Sequence, residues 1–221
     1  ESLQDNKLVG RFELEDFDLG MVDGFITYGV EPAGILTSVL TLGGTLGQPT
    51  VEGNAAIENG GIELLHQGVT LDEVTLSLSV RGQQAKVSGA ATSGPGQMQI
   101  TGDLLYDGRG LGGTLYLRSQ DFLIVNLPEY SIRVASDAEF TFNREGGRIR
   151  GRVEVPYGLL MPEEMVNSVG VSEDVVFVHG EVEEEQAKGW PLVLDLDVLL
   201  GDDVRLDGYG LTGRLGGRLQ I

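Results

Sequence analysis

The sequence predicts an all-β chain of strands with one dry, aliphatic face and one wet face, and very little helix. Three observations carry this. Apolar and polar residues alternate with a period of two over many segments, the signature of strands with one dry and one wet face. Glycine is abundant, 34 of 221 residues, and sits inside the apolar segments rather than in linkers. Aromatic residues are only 6%, so the dry faces are smooth and aliphatic.

The alternation is plain along the chain. Val74, Leu76, Leu78 and Val80 share one face, with Thr75, Ser77, Ser79 and Arg81 on the other. Met98, Ile100, Gly102, Leu104 and Tyr106 repeat the pattern, as do Leu111, Gly113, Leu115 and Leu117. At the end, Leu211, Gly213, Leu215, Gly217, Leu219 and Ile221 oppose Thr212, Arg214, Gly216, Arg218 and Gln220. The best helical candidate is near 162–167, opened by Pro162 with Glu163 and Glu164 in its first turn. The stretch 156–189 is the least strand-like. It holds Pro156, Pro162 and the Glu183–Glu185 run, and is expected as a loop or short-helix excursion, with Val175–Val178 suited to a strand. Otherwise residues 1–221 read as one continuous segment.

A short unit recurs, an apolar residue two places either side of a glycine. It is centred on Gly53, Gly89, Gly102, Gly113, Gly151, Gly180 and Gly213. Glycine inside a strand marks a bend, a bulge or close backbone approach. Two readings stay open and are compatible: glycine lets a wide sheet curl, or it removes side chains to leave a furrow. The spacing is irregular, so this is no strict solenoid repeat.

Charge and composition exclude several functions. The net charge is -19, with 34 acids against 15 bases. That field repels phosphate backbones and anionic membrane surfaces, so no nucleic-acid partner is expected. There is no cysteine, hence no disulfide, thiolate metal site or cysteine nucleophile. No apolar run is long enough to span a bilayer as a helix. The chain starts at Glu1 and stops inside an apolar pattern, which reads as a fragment of something longer.

No catalytic group and no cofactor is expected. Asp195 and Asp197 lie two apart in the manner of a glycosidase pair, but alternate with Leu194 and Leu196 as a wet outer face would. Asp202, Asp203 and Asp207 fit no calcium loop and suit a turn, and the same holds for Asp16, Asp18 and Asp23. His66 and His179 have no ligand cluster around them. Trp190 before Pro191 suits the start of a strand.

Three stretches carry a family resemblance. The first runs from Leu127-Pro128 through Ser136-Asp137 to Phe140. The second runs from Gly147 through Gly151-Arg-Val-Glu-Val-Pro156 and Leu160-Met-Pro162 into Val171-Ser-Glu-Asp174-Val-Val-Phe-Val178. The third runs from Pro191-Leu-Val-Leu-Asp-Leu-Asp197 through Leu200-Gly-Asp-Asp-Val204 to Gly210-Leu-Thr-Gly213-Arg-Leu-Gly-Gly-Arg-Leu219. In order and spacing they resemble the TamB family of AsmA-like intermembrane proteins, over about residues 110–221. The resemblance implies an elongated, curled sheet folded lengthwise into a taco-like or U-shaped trough with an aliphatic interior, lying in the periplasm toward the C-terminal end of a longer, inner-membrane-anchored protein that reaches the outer membrane. It implies phospholipid acyl chains as cargo, a role in outer-membrane protein assembly, and the outer-membrane barrel protein TamA as a partner through a region outside this piece. About fifteen strands spaced by about 4.8 Å would then give a trough of about 70 Å.

A conduit needs a continuous apolar surface rather than a catalytic group. The residues expected to line it are Val74, Leu76, Leu78, Met98, Ile100, Leu104, Leu115, Leu117, Leu192, Leu194, Leu196, Leu211, Leu215 and Leu219. Two other readings compete. A folding scaffold would template outer-membrane strands by edge pairing. An enzyme or sugar-binding domain would need an aromatic platform or a carboxylate pocket.

Overall fold

The computed structural model describes residues 6–25, 30–106, 110–162, 190–208 and 210–221. They form one 11-stranded open sheet in which every strand lies beside its sequence neighbours. The strands are β1 (Gly10–Asp18), β2 (Val30–Gly44), β3 (Pro49–Leu64), β4 (Val69–Gly82), β5 (Gln84–Ser93), β6 (Gly96–Tyr106), β7 (Leu111–Asn126), β8 (Tyr130–Asn143), β9 (Gly146–Leu160), β10 (Leu192–Gly208) and β11 (Leu211–Gln220). Leu19–Phe25 is a short 3-10 segment. At about 4.8 Å per strand the sheet extends about 50 Å, shorter than the sequence suggested.

Neighbouring strands run antiparallel, except that β9 and β10 pair in parallel, Leu192 opposite Gly147 and Leu196 opposite Gly151. A parallel pair needs a long connection, and 31 residues, 161–191, separate the two strands in the sequence. β9 continues through Pro156 to Leu160, so the excursion expected at 156–189 does not begin at Pro156. The reason is local: Pro156 falls in the bulge of β9 between Glu154 and Tyr157, where a missing N–H costs no ladder bond. The helix expected at 162–167, apart from Pro162 itself, and the strand at Val175–Val178 fall on 163–189, outside the described residues.

The long strands are bulged near their middles. Register shifts fall between Leu14 and Phe17 in β1, Ala33 and Ile35 in β2, Ile57 and Gly60 in β3, and Asp72 and Thr75 in β4. They continue between Ser119 and Phe122 in β7 and between Leu200 and Asp203 in β10. Asp16, Asn59, Glu73 and Asp121 adopt positive φ of 47–51° at these places. A bulge bends its strand and sharpens the twist. Because the shifts sit at adjoining register positions, they form a crease across the sheet.

The β5–β6 hairpin ends at that crease, with Ser93 opposite Gly96. Below it nothing separates β4 from β7. The β3–β4 turn and the end of β7 meet there, the Asn126 N–H donating to the Gln67 carbonyl at 2.8 Å. Ser93 Oγ donates to the Leu123 carbonyl at 2.9 Å. Removing two strands from one half of a sheet acts like a dart in cloth and forces curvature. The few buried apolar side chains among the described residues, Val69, Ala91, Phe122 and Val204, lie at or beyond the crease. Little of this sheet is sealed in a conventional core.

Candidate functional site: one continuous apolar face

The registers place the apolar halves of all the strands on a single face. One row across the sheet reads Phe12, Leu40, Gly53, Val80, Ala85, Leu104, Gly113, Phe142, Gly147, Leu192. The next reads Leu14, Ser38, Ala55, Leu78, Val87, Gly102, Leu115, Phe140, Ile149, Leu194. A third passes Leu36, Ile57, Leu76, Gly89, Ile100, Leu117, Ala138, Gly151 and Leu196. No charged residue interrupts any of them. A one-residue slip in any strand would turn its whole apolar set outward, so this continuity depends on every register.

Each residue expected to line the furrow lies on this face. Val74, Leu76 and Leu78 lie on β4, Met98, Ile100 and Leu104 on β6, and Leu115 and Leu117 on β7. Leu192, Leu194 and Leu196 lie on β10. Leu211, Leu215 and Leu219 lie on β11, Leu215 opposite Val204 and Leu219 opposite Val198. None is buried: Leu192 is 49% and Leu211 66% exposed, and Leu76, Leu194, Leu215 and Leu219 are also exposed. The others are half-buried. An open aliphatic surface of this extent is unusual for a polypeptide in water.

The glycines on this face show which way the sheet curls. A Cβ added to Gly102 would stand 2.3 Å from the Thr114 carbonyl oxygen and 3.0 Å from Leu115 Cα. One added to Gly113 would stand 2.5 Å from the Asp103 oxygen and 3.1 Å from Leu104 Cα. The adjoining strand therefore leans over the apolar side at the β6–β7 seam, which makes that side concave there. The space is also taken: Leu115 Cδ2 lies 2.7 Å from the Gly102 position and Leu104 Cδ2 2.9 Å from the Gly113 position. At this seam glycine serves bending, not vacancy. On β11, by contrast, Gly213 and Gly217 have open space where a side chain would be.

Sequence reasoning missed other parts of the face. Phe140 and Phe142 stack at 5.1 Å, and Trp190 meets Phe140 edge-on at 6.3 Å while its Nε1–H donates to the Asn143 carbonyl at 3.0 Å. The alternation Ala138, Phe140, Phe142 was a readable signal for the pair. Polar breaks also exist. Ser119 and Ser136 share a 2.8 Å hydroxyl contact at the crease, whereas the buried Ser38 hydroxyl has no partner.

The opposite face is polar and cross-braced. Arg118, Asp137, Arg152 and Asp197 stand in one row across β7 to β10. Arg118 pairs with Asp137 at 3.5 Å and Arg152 with Asp197 at 3.7 Å. Asp197 also accepts two hydrogen bonds from the Arg218 guanidinium on β11. Those bonds, with the charges of Arg218 and Arg152, hold the Asp197 carboxyl below the usual carboxylate range despite partial desolvation. Asp195 pairs with Arg150 at 3.1 Å. Both aspartates are thus committed to arginines on the wet face rather than arranged around a substrate.

Comparison with known proteins agrees with this architecture. The family model of the TamB C-terminal domain matches residues 84–221. The match starts at β5, upstream of the three stretches that carry the resemblance. Among individual relatives, the translocation and assembly module subunit TamB of Haemophilus influenzae is 23% identical over 231 residues. That alignment covers 99% of this chain and 18% of the relative. No solved structure matches. With more than half of its residues matched by the family model, the chain belongs to the TamB C-terminal domain family.

Proposed function

We propose that this segment is a stretch of conduit for lipid acyl chains, working within a longer translocation and assembly module protein. The observation that carries it is the set of in-register, mostly aliphatic rows that no charged residue interrupts, on a face that is concave at the β6–β7 seam and whose expected lining residues are not buried. Acyl chains make no directional demands, and they gain roughly 25 cal/mol for each Å² taken from water. Nothing charged lies along the rows to trap a headgroup or to strand a tail. On this reading the segment lies in the periplasm between the two membranes of the full protein, with phospholipid as cargo and TamA as the outer-membrane partner. No described helix is long and apolar enough to cross a membrane.

The test is lipid capture. The purified chain, analysed by native mass spectrometry without detergent, is expected to carry phospholipid, and Leu76→Arg with Leu194→Arg to lose it. A lipid-free chain, or full lipid retention by the double variant, would count against the conduit.

A second reading has its own observation. Among the described residues β11 pairs only with β10, and every one of its residues is exposed. A free strand edge is a template for another strand, so this edge suits scaffolding of client β-strands.

A further inference from the structure

We propose that a phospholipid in the furrow lies one way round, its phosphate at the lip formed by the β8–β9 turn, where Arg144 and Arg148 meet it. This deepens the conduit reading and rests on it. The crease divides the long strands, so the sheet has two lips made of strand ends. One holds the β4–β5 and β8–β9 turns, the other the β3–β4 and β7–β8 turns. The two differ in charge. Asp18, Glu63, Asp72, Glu129 and Asp207 stand along the second lip, from β1 to β10. No lysine or arginine lies between Arg11 and Arg81, so the β1–β4 part of that lip has neither. Arg133 and Arg205 on that side are matched by Asp121 and Asp203, and Arg214 on β11 is the exception.

The first lip carries Arg81, Lys86, Arg144 and Arg148, all exposed. Lys86 is matched by Asp103 at 3.8 Å, and Arg81 stands opposite Glu52. Arg144 and Arg148 form no ion pair among the described residues, Glu145 of the same turn included. Arg148 has the uncharged Thr141 and Val193 on either side. It lies on the wet face near the start of β9, and its long stem lets the guanidinium snorkel to the lip. Two hollows flank the turn, one lined by Arg144 with Leu105 and Leu111, the other by Arg148 with Phe142 and Pro191. Each sets a guanidinium beside apolar surface. Arginine donates to phosphate oxygens through its planar fork, whereas a carboxylate-lined lip repels them. On the dry face just inside the arginine lip, Trp190 is 46% exposed and meets Phe140 edge-on. It leans over Gly147, whose missing side chain gives the ring its place. An indole suits the level at which headgroup gives way to hydrocarbon.

The probes are two forms of phosphatidylglycerol, one with a diazirine on the headgroup and one with a diazirine midway along an acyl chain. Each is doped into phosphatidylcholine vesicles, offered to the whole chain and illuminated, and its adducts are mapped by mass spectrometry. The headgroup probe is expected to label residues 143–148 about fivefold or more above residues 62–66 and 126–130. Arg144→Glu with Arg148→Glu should remove that excess, and Arg144→Gln with Arg148→Gln should reduce it. Acyl-probe labelling of the dry rows should stay within about twofold in both variants, which also reports that the fold is kept. Glycerol 3-phosphate at the lipid's concentration should not compete; loss of headgroup labelling to it would mean a site for free phosphate and overturn the proposal. Equal labelling of the two lips, or an excess that survives the double Glu variant, would overturn the orientation, while acyl adducts would keep the conduit standing. Absence of acyl adducts would overturn both.

Discussion

The Asn126 N–H donates to the Gln67 carbonyl at 2.8 Å, joining the end of β7 to the β3–β4 turn across the tip of a hairpin that stops short of both. Through this contact the β5–β6 hairpin becomes a dart, and a flat succession of hairpins becomes a curved sheet. The packing that supports the contact is small. Phe122 and Val69 are among the few buried apolar side chains, and both lie on the strands that meet there.

Phe122→Ala should therefore be costly for its position in so open a molecule. Truncating a buried Phe costs about 3–5 kcal/mol. The expected result is a lower midpoint in urea, with hydrogen exchange accelerating first at Asn126 and Gly68. An unchanged exchange rate at Asn126 would mean that the closure does not depend on this plug.

The glycines separate into two classes with different outcomes. Gly102→Ala and Gly113→Ala push a methyl into the adjoining strand and should cost about 1–3 kcal/mol each. Gly213→Ala meets nothing within 4 Å and should stay within about 0.5 kcal/mol. Thermal unfolding of the three variants side by side checks the ordering.

Ser38 is a buried hydroxyl without a partner on the dry face. An unsatisfied buried polar group costs about 1–3 kcal/mol, so Ser38→Ala should raise stability or leave it unchanged. A drop in the urea midpoint would reveal a hydrogen bond at that site.

The docking of β11 should depend on acid. Asp197 has its carboxyl held below the usual carboxylate range, chiefly by hydrogen bonds from Arg218. A depressed carboxylate contributes stability that is complete above its unfolded value and is lost as pH falls through its folded one. Amide exchange along Leu211–Gln220, compared with β7, should therefore rise selectively on acidification below the ordinary aspartate range. Asp197→Asn should show the same loosening at neutral pH and no further acid step of its own.

Much of the fold was legible because it is local. Alternation from Val74 to Val80, and from Leu211 to Ile221, directly reports strands with one dry face. The glycine-centred units were legible too, but their cause was not: the Thr114 carbonyl that crowds Gly102 comes from another strand. The crease was hidden for a similar reason. Asp16, Asn59, Glu73 and Asp121 look like ordinary surface residues, and only pairing reveals them as bulges. Pro156 misled because a proline in a bulge is tolerated where one in a regular ladder is not. The lining residues were found by their period, whereas Val69, Phe122 and Val204 owe their burial to the bend and left no periodic trace.

The central claim is that the dry face holds hydrocarbon while the wet face does not. Photo-crosslinkers placed at Leu76, Leu194 and Leu215 on the dry face, and at Ser77, Asp195 and Arg214 on the wet one, test it most directly. After illumination in the presence of phospholipid vesicles, mass spectrometry should find lipid adducts at the first set and essentially none at the second. Equal labelling of the two sets, or adducts confined to the wet face, would contradict the account.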